Sequence, residues 1–397
     1  YIYPTMRRGG RVIYALDVTT PASPTLLWKR GCPNPGNDTA GCDSGFESIG
    51  QTWSTPQSAT VAGYTDVNSA TRPVVMFGGG YDAACLDPAA ATLNCSSATG
   101  RGVYVLDATN PTLLTKVFAT DAPVVGDIAL ADVNSDGKTD FAYAADAAGS
   151  LWRINFASMD SNGALTTLGK DAWTITKIAS TEGDNRRFLN GPAIAVYKNS
   201  VYVSLGSGNR ERQLKSNYPY QSQVEDRFYV FLDKPNTTGA IDLDGAQMNN
   251  SLEASSCANA GIYPGSTLRG WYYDLGGRGE QVINPAVIGT GKVFFNTYKS
   301  GGDSTGVCAG PKGIATGYSA SIFTGACSLT KTTLVGPPPI PPTIPPPICI
   351  ANCAYGATNP VIVSVCIGCK PGLAPTAIEP TLDQTRQKVY WKTDIDR

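Results

Sequence analysis

The sequence contains no histidine, and that absence excludes several chemistries at once. No Ser-His-Asp or Cys-His couple can be assembled, and no imidazole is present to hold zinc or iron. Lys, Glu, Asp and Tyr remain as candidate acids and bases, so enzymatic function is disfavoured rather than ruled out. Charge is scarce as well. Asp, Glu, Lys and Arg make up 16% of the chain and balance to −1, against roughly 25% charged residues in ordinary soluble proteins. With no long basic run, a general affinity for nucleic acid or an anionic membrane is not expected. No apolar run approaches the ~20 residues of a membrane-spanning helix. Helical periodicity is nearly absent, and no signal peptide is visible. The first residue is Tyr1, so a mature or truncated piece is expected, with its export signal upstream.

What the 397-residue chain does have is glycine (43), proline (28) and cysteine (11). Abundant Gly and Pro with little charge describe a turn-rich β protein, and the length suits one large all-β domain or two average ones. Several cysteines form short pairs inside Gly/Asn/Ser-rich loops: Cys32 with Cys42, Cys85 with Cys95, and Cys308 with Cys327. Loops of this composition cannot order themselves by apolar burial, and a disulfide would pin them. The expected setting is an oxidising compartment, the periplasm or the cell exterior. Cys349, Cys353, Cys366 and Cys369 have a spacing that suits either tetrahedral zinc or two disulfides, with disulfides favoured outside the cytosol. Cys257 is then left over. The run "GPPPIPPTIPPP" (336–347) cannot enter a sheet interior, because proline lacks the N–H donor. It is expected to be an extended polyproline II spacer, with a motif for a proline-binding partner as the alternative.

A repeat runs through the apolar segments. "GRVIYALDVTTPASPTLLWK" (10–29) matches "GRGVYVLDATNPTLLTKVF" (100–118) nearly position for position. "GSLWRINF" (149–156), "DRFYVFLDKP" (226–235) and "GYSASIFTG" (317–325) are weaker copies of its first half. Two shorter apolar strands precede each later copy, as in "VVGDIALADV" with "DFAYAAD". Short strands in recurring sets of four are the pattern of propeller blades. A β-sandwich would not need one four-strand unit repeated, and radial repetition protects strand edges. The organisation expected is blades over 1–335, with a truncated first blade. A Pro/Cys-rich insert follows over 336–380, and a closing strand over 381–397 that includes "KVYWKTD". The tryptophans and tyrosines alternate with polar residues in these strands, so packing between blades is their expected role.

One loop carries oxygen ligands at fixed spacing. In "DVNSDGKTD" (132–140), Asp132, Asn134, Asp136 and Asp140 fall at positions 1, 3, 5 and 9 of a calcium-type loop. Gly137 stands at position 6, where such a loop turns sharply, and Lys138 at position 7 offers its backbone carbonyl. Calcium takes six to eight oxygens, and three carboxylates offset the cost of stripping its water; magnesium prefers to keep its waters. Position 12 is Tyr143 and "FAYAA" reads as a strand, so the loop is EF-hand-like and lies between strands. The competing assignment is an Asp-rich turn of the Asx type. Weaker echoes at Asp66 and Asn68, and at Asp242 and Asp244, are read as plain turns, as is "GRGE" (277–280).

The loop within "GDIALADVNSDGKTDFAYAADAAGSLWRINF", the upstream "FGGGYD" (77–82), the strand "GVYVLDATNP" (102–111) and the terminal "TRQKVYWKTDIDR" resemble the PilY/PilC family, in particular its C-terminal β-propeller domain. These are type IV pilus biogenesis factors and tip adhesins. The resemblance covers most of 10–330 and the last dozen residues. It implies a modified seven-bladed propeller at the tip of a retractable pilus, with calcium held by Asp132, Asn134, Asp136, Lys138 and Asp140. It further implies contacts with pilins or minor pilins, adhesion to host or abiotic surfaces, and a role in extension, retraction and twitching motility. A cell-surface location and no enzymatic activity follow from the same resemblance. Two alternatives remain at this point. "VYVLDATNP" also resembles blade strands of pyrroloquinoline-quinone dehydrogenases, although Trp28 is replaced by Phe118 in the next copy. The chain could also be a purely structural surface propeller.

Overall fold

The computed structural model describes residues 1–334, except 35–39, 89–94, 96–98, 182–184, 212–223, 251–260 and 301–312. The Pro/Cys-rich insert, the closing strand, Cys257, the Cys308–Cys327 pairing and the four cysteines from Cys349 to Cys369 lie outside the described residues.

Strands form where the sequence repeats. An N-terminal hairpin pairs Val12–Asp17 with Thr25–Gly31. The first sheet then runs Gln57–Thr65, Thr71–Gly78, Arg101–Asp107 and Thr115–Pro123. The second begins with Ala129–Ala131, Phe141–Ala145, Ser150–Asn155 and Thr174–Ser180. The third follows with Ala193–Tyr197, Ser200–Gly206, Arg227–Asp233 and Gly270–Asp274. The fourth has Val287–Gly289, Lys292–Lys299, Ile314–Ser321 and Gly325–Leu334. Within each set of four, strands adjacent in sequence pair antiparallel. Every copy of the repeated segment after the first, "GRGVYVLD" and its relatives, forms the third strand of its set, while the first copy forms the N-terminal hairpin.

The second and third strands of each set are largely buried on both faces, and period-two alternation decides which neighbour each side chain meets. In Thr71–Gly78, Val75 and Phe77 pack with Ile13, Ala15 and Trp28 of the hairpin, while Val74 and Met76 pack with Ala142 and Ile154 of the second sheet. In Phe141–Ala145, Ala142 and Ala144 face the first sheet; Phe141, Tyr143 and Ala145 meet Val201, Val203 and Tyr229 of the third. In Arg227–Asp233, Tyr229 and Phe231 face the second sheet, and Phe228, Val230 and Leu232 meet Val293 and Phe295 of the fourth. The first, second and third sheets thus each lie between two apolar layers. Each fully buried Val, Leu or Phe contributes about 1.5–3 kcal/mol. Trp28, Trp152, Trp173 and Trp271 sit in these layers, the packing role expected of them.

Turns use the aspartates that end the repeated strands. Asp107 accepts the amides of Thr109 and Asn110, both at 2.8 Å. Asp66 caps its own loop through the amides of Asn68 and Ala70, the plain turn expected there. Asp244 is more than a turn residue. Its carboxylate accepts Arg186 at 2.7 Å and Tyr229 at 2.8 Å and also pairs with Arg227. It sits on an excursion from the third sheet whose strand Ile241–Asp242 pairs with Thr174–Ser180 of the second. "GRGE" is likewise only partly a turn: Gly277 and Gly279 adopt positive φ, but Glu280 begins the strand Glu280–Val282. The Glu280 carboxylate is buried and accepts the hydroxyls of Thr297 and Tyr318. A spacing rule cannot see such partners, because they lie on strands remote in sequence.

Disulfides close Cys32–Cys42 and Cys85–Cys95, as the loop composition led one to expect. Cys85 lies on Ala83–Leu86, one helical turn capped by the Asp82 carboxylate. No helix among the described residues is long and apolar enough to cross a membrane.

Candidate metal-binding loop

The register of the second sheet fixes the loop's ends. Ala131 pairs with Phe141, so residues 132–140 are the whole connection between the first two strands. Asp140 belongs to the frame. Its amide donates to the Ala131 carbonyl at 2.9 Å, and its own carbonyl accepts the amides of Phe156 and Ala157. Its carboxylate accepts the Val133 amide at 2.8 Å. Val133 is buried in the layer between the second and third sheets. Burial raises the Asp140 carboxyl above its ordinary range; the Val133 amide opposes the rise, and the nearby charges of Asp136 and Asp132 add to it.

The outer part of the loop folds around its own oxygens. Asp132 accepts the amides of Asp136 and Gly137 at 3.1 and 2.8 Å. Asn134 Oδ1 accepts the Asp136 amide at 3.0 Å, and Asp136 accepts the Lys138 amide at 2.8 Å. Asn134 Nδ2 donates to Asp136 at 3.3 Å. Amides of consecutive residues therefore point inward to the side chains at positions 1, 3 and 5. Ser135 and Gly137 adopt positive φ, 61° and 82°. Glycine tolerates that conformation without a Cβ penalty, which is what position 6 requires.

The loop is also tied to the first sheet. The Thr139 amide donates to the Thr60 carbonyl at 2.8 Å, and the Thr60 hydroxyl to the Gly137 carbonyl at 3.2 Å. Thr60 lies on Gln57–Thr65. No sequence signal marks it.

The donor set fits a hard cation in kind, since it offers only oxygens and no competing nitrogen or sulfur. Among the described residues, however, no three Asp, Glu, His or Cys side chains form a group that could hold a metal by themselves. Asp132, Asp136 and Asp140 instead spend oxygens on backbone amides. Each carboxylate oxygen has two lone pairs, so an amide bond leaves one free. A cation here would draw on Asn134 and the Lys138 carbonyl as well as the carboxylates.

Residues 1–186 match the family model described as the PilY1 beta-propeller domain. A type IV pilus biogenesis factor PilY1 homolog of Xylella fastidiosa (strain Temecula1) is 25% identical over 327 residues, covering 74% of this chain and 20% of that protein. Type IV pilus biogenesis factor PilY1 of Pseudomonas aeruginosa (strain PAO1) is 32% identical over 151 residues, 38% of this chain and 11% of the relative. The chain thus spans about a fifth or less of the length of these relatives. The crystal structure of the Pseudomonas aeruginosa PilY1 C-terminal domain superposes with a TM-score of 0.55 at 19% identity, over 81% of this chain and 67% of that one. At that identity the likeness speaks for the fold alone.

Proposed function

We propose that the chain is the propeller portion of a type IV pilus biogenesis factor and takes up calcium in the loop 132–140; the match of residues 1–186 to the PilY1 beta-propeller domain model and the similarity to PilY1 proteins support this reading. The family is non-enzymatic, which sets the quinoprotein alternative aside. Asp132, Asn134, Asp136 and Asp140 would supply side-chain oxygens and Lys138 its carbonyl. A bound calcium ion would neutralise the mutual repulsion of three carboxylates confined to one turn.

The observation that carries this proposal is the loop's double anchorage. Asp140 is fixed in the frame of the second sheet, while Gly137 and Thr139 bond to Thr60 of the first. Charge neutralisation in the loop would therefore be felt where two sheets meet. It could change a surface seen by pilins or minor pilins without unfolding the blades. On this proposal the sheets are blades of a modified seven-bladed ring exported to the cell surface. Ion occupancy there biases pilus extension and retraction, and with them twitching motility and adhesion to host or abiotic surfaces.

The test is Asp140→Ala and Asp140→Lys in the full-length protein in its own host. Both should keep far-UV circular dichroism near wild type. Asp140→Ala should alter surface piliation or twitching, and Asp140→Lys, whose ammonium sits where the ion's charge would be, should partly imitate the calcium-loaded state. Wild-type piliation and motility for both variants at every calcium level would reduce the loop to a structural staple.

A further inference from the structure

Three aromatic rings meet on the surface where the third sheet packs against the fourth. Alternation along Ala193–Tyr197 turns Ala193 and Ala195 toward the layer shared with the fourth sheet, and Tyr197, two residues on, continues that row. Phe323 sits in the turn between Ile314–Ser321 and Gly325–Leu334. Tyr263 lies on the connection from Arg227–Asp233 to Gly270–Asp274. Phe323 is central. Its ring centre lies 5.5 Å from that of Tyr263, with the planes 18° apart, and 5.6 Å from that of Tyr197. The buried Tyr202 meets Phe323 edge-on at 5.3 Å. Tyr197 is 37% exposed and Tyr263 47%, so the group forms a shelf with two open rings.

The backbone holds this shelf in place. The Ile262 amide donates to the Phe323 carbonyl at 2.8 Å, and the Tyr202 hydroxyl to the Ile262 carbonyl at 2.6 Å. Tyr263 is closed into a turn: its amide donates to Ser266 Oγ, and its carbonyl accepts the Ser266 amide. The Phe323 amide donates to Ser321 Oγ at 3.1 Å. Position 261 has to be glycine, because a Cβ there would stand 2.2 Å from Tyr263 Cε2. Lys198 and Asn199, both at positive φ, turn the chain directly after Tyr197 and set the Lys198 ammonium 5.3 Å from the Tyr197 ring centre. Among the described residues Lys198 has no ion-pair partner, and the hydroxyls of Tyr197 and Tyr263 make no hydrogen bond. The shelf thus offers ring faces and three unused donors.

A polyproline II segment complements such a surface. Its proline rings are apolar faces, and its backbone presents carbonyl acceptors without N–H donors. Proline-rich segments dock on aromatic surfaces by this rule. The chain contains one: "GPPPIPPTIPPP" (336–347) has eight prolines and begins just after Leu334, the end of the fourth sheet. The strand Gly325–Leu334 starts two residues beyond Phe323 and is ten residues long, so it carries the chain about 33 Å away from the shelf. Twelve residues of polyproline II extend about 37 Å. A reversal at Val335 and Gly336 therefore returns the run to the shelf, with Pro345, Pro346 and Pro347 at the rings. We propose that the shelf of Tyr197, Tyr263 and Phe323 is the docking site of this chain's own proline run, 336–347. Tethering within reach gives the run an effective concentration on the order of millimolar, an advantage that a partner's segment lacks. The shelf is separate from the 132–140 loop. The turn at Lys198 and Asn199 is the third sheet's counterpart of that loop, since each joins the first strand of its sheet to the second.

Nitration by tetranitromethane, read by mass spectrometry on the full chain, tests the proposal. The wild type is compared with a variant whose eight prolines in 336–347 are all replaced by serine, which alters no residue of the four sheets. Tyr197 and Tyr263 should be nitrated roughly fivefold faster or more in the serine variant, because the tethered run no longer covers them. Tyr1, 57% exposed, is the control and should react equally in both. The synthetic peptide "GPPPIPPTIPPP" at millimolar concentration should restore protection to the serine variant, but not to Tyr197 once Tyr263→Ala is added. Asp140→Ala should leave the protection unchanged. Equal nitration of the two proteins overturns the proposal, as does faster nitration that the peptide fails to reverse. Protection of the wild type that fades on dilution overturns it in favour of a run from a second copy. Protection of the serine variant by an oligosaccharide and not by the peptide overturns it in favour of a sugar.

Discussion

Arg153 Nη1 donates to both carboxylate oxygens of Asp233, at 2.9 and 2.8 Å, across the layer between the second and third sheets. Both side chains are almost wholly buried, and the Tyr143 hydroxyl donates to the same carboxylate at 2.8 Å. Tyr143 and Arg153 are register partners in the second sheet and Asp233 ends a strand of the third, so the ion pair fixes how the two sheets meet. Removing one partner leaves a buried charge uncompensated. Asp233→Ala should therefore cost about 3–5 kcal/mol in chemical denaturation. The double variant Arg153→Met with Asp233→Leu should recover most of that loss. Equal losses in the single and double variants would mean that the pair does not set the interface.

Asp146 gives the molecule a pH dependence of definite sign. Burial pushes its carboxyl up to about 6, against the opposing hydrogen bonds of the Trp152 indole and the Ser150 and Ala148 amides. A raised folded-state value means the folded chain binds the proton more tightly than the unfolded chain. The stability from that site is full below the ordinary aspartate range and is lost as pH rises through about 6. The cost at neutral pH is on the order of 3 kcal/mol. Urea midpoints should therefore rise on acidification from pH 7 to about 4.5, relative to Asp146→Asn, which cannot titrate. Parallel midpoints for the two proteins would exclude this source.

Cysteine state is checked by a non-reducing digest. Cys32–Cys42 and Cys85–Cys95 should appear as linked peptides, and Cys308–Cys327 is expected to do the same. Reduction of a native disulfide of this kind should cost roughly 2–4 kcal/mol. Free thiols in freshly isolated protein would contradict the proposed exported location.

Much of this architecture was legible in the sequence, because the strands repeat and their apolar runs are bounded by Gly, Pro, Asn and Asp. The third strand of every set, from Arg101–Asp107 to Ile314–Ser321, is where the repeated segment fell. The two strands before it were equally visible. What escaped was long-range pairing. Asp244 and Glu280 looked like turn residues, yet their carboxylates are spent on Arg186, Arg227 and Tyr229, and on Thr297 and Tyr318. Nothing local to "DLDG" or "GRGE" encodes those partners. For the loop the spacing located the oxygens and the Gly137 turn, but not Thr60, which reaches it from another sheet.

The central claim, that the loop 132–140 takes calcium, is tested most directly by titrating calcium into the purified chain in a calorimeter at neutral pH. One site is expected in the wild type, weakened at least tenfold or lost in Asp140→Ala. Because the Asp140 carboxyl is held above its ordinary range, affinity should also begin to fall at milder acidity than a free aspartate would dictate, as protons compete for the ligand. An unchanged isotherm in Asp140→Ala would place the ion elsewhere, and no calcium heat in either protein would leave 132–140 an Asp-rich turn.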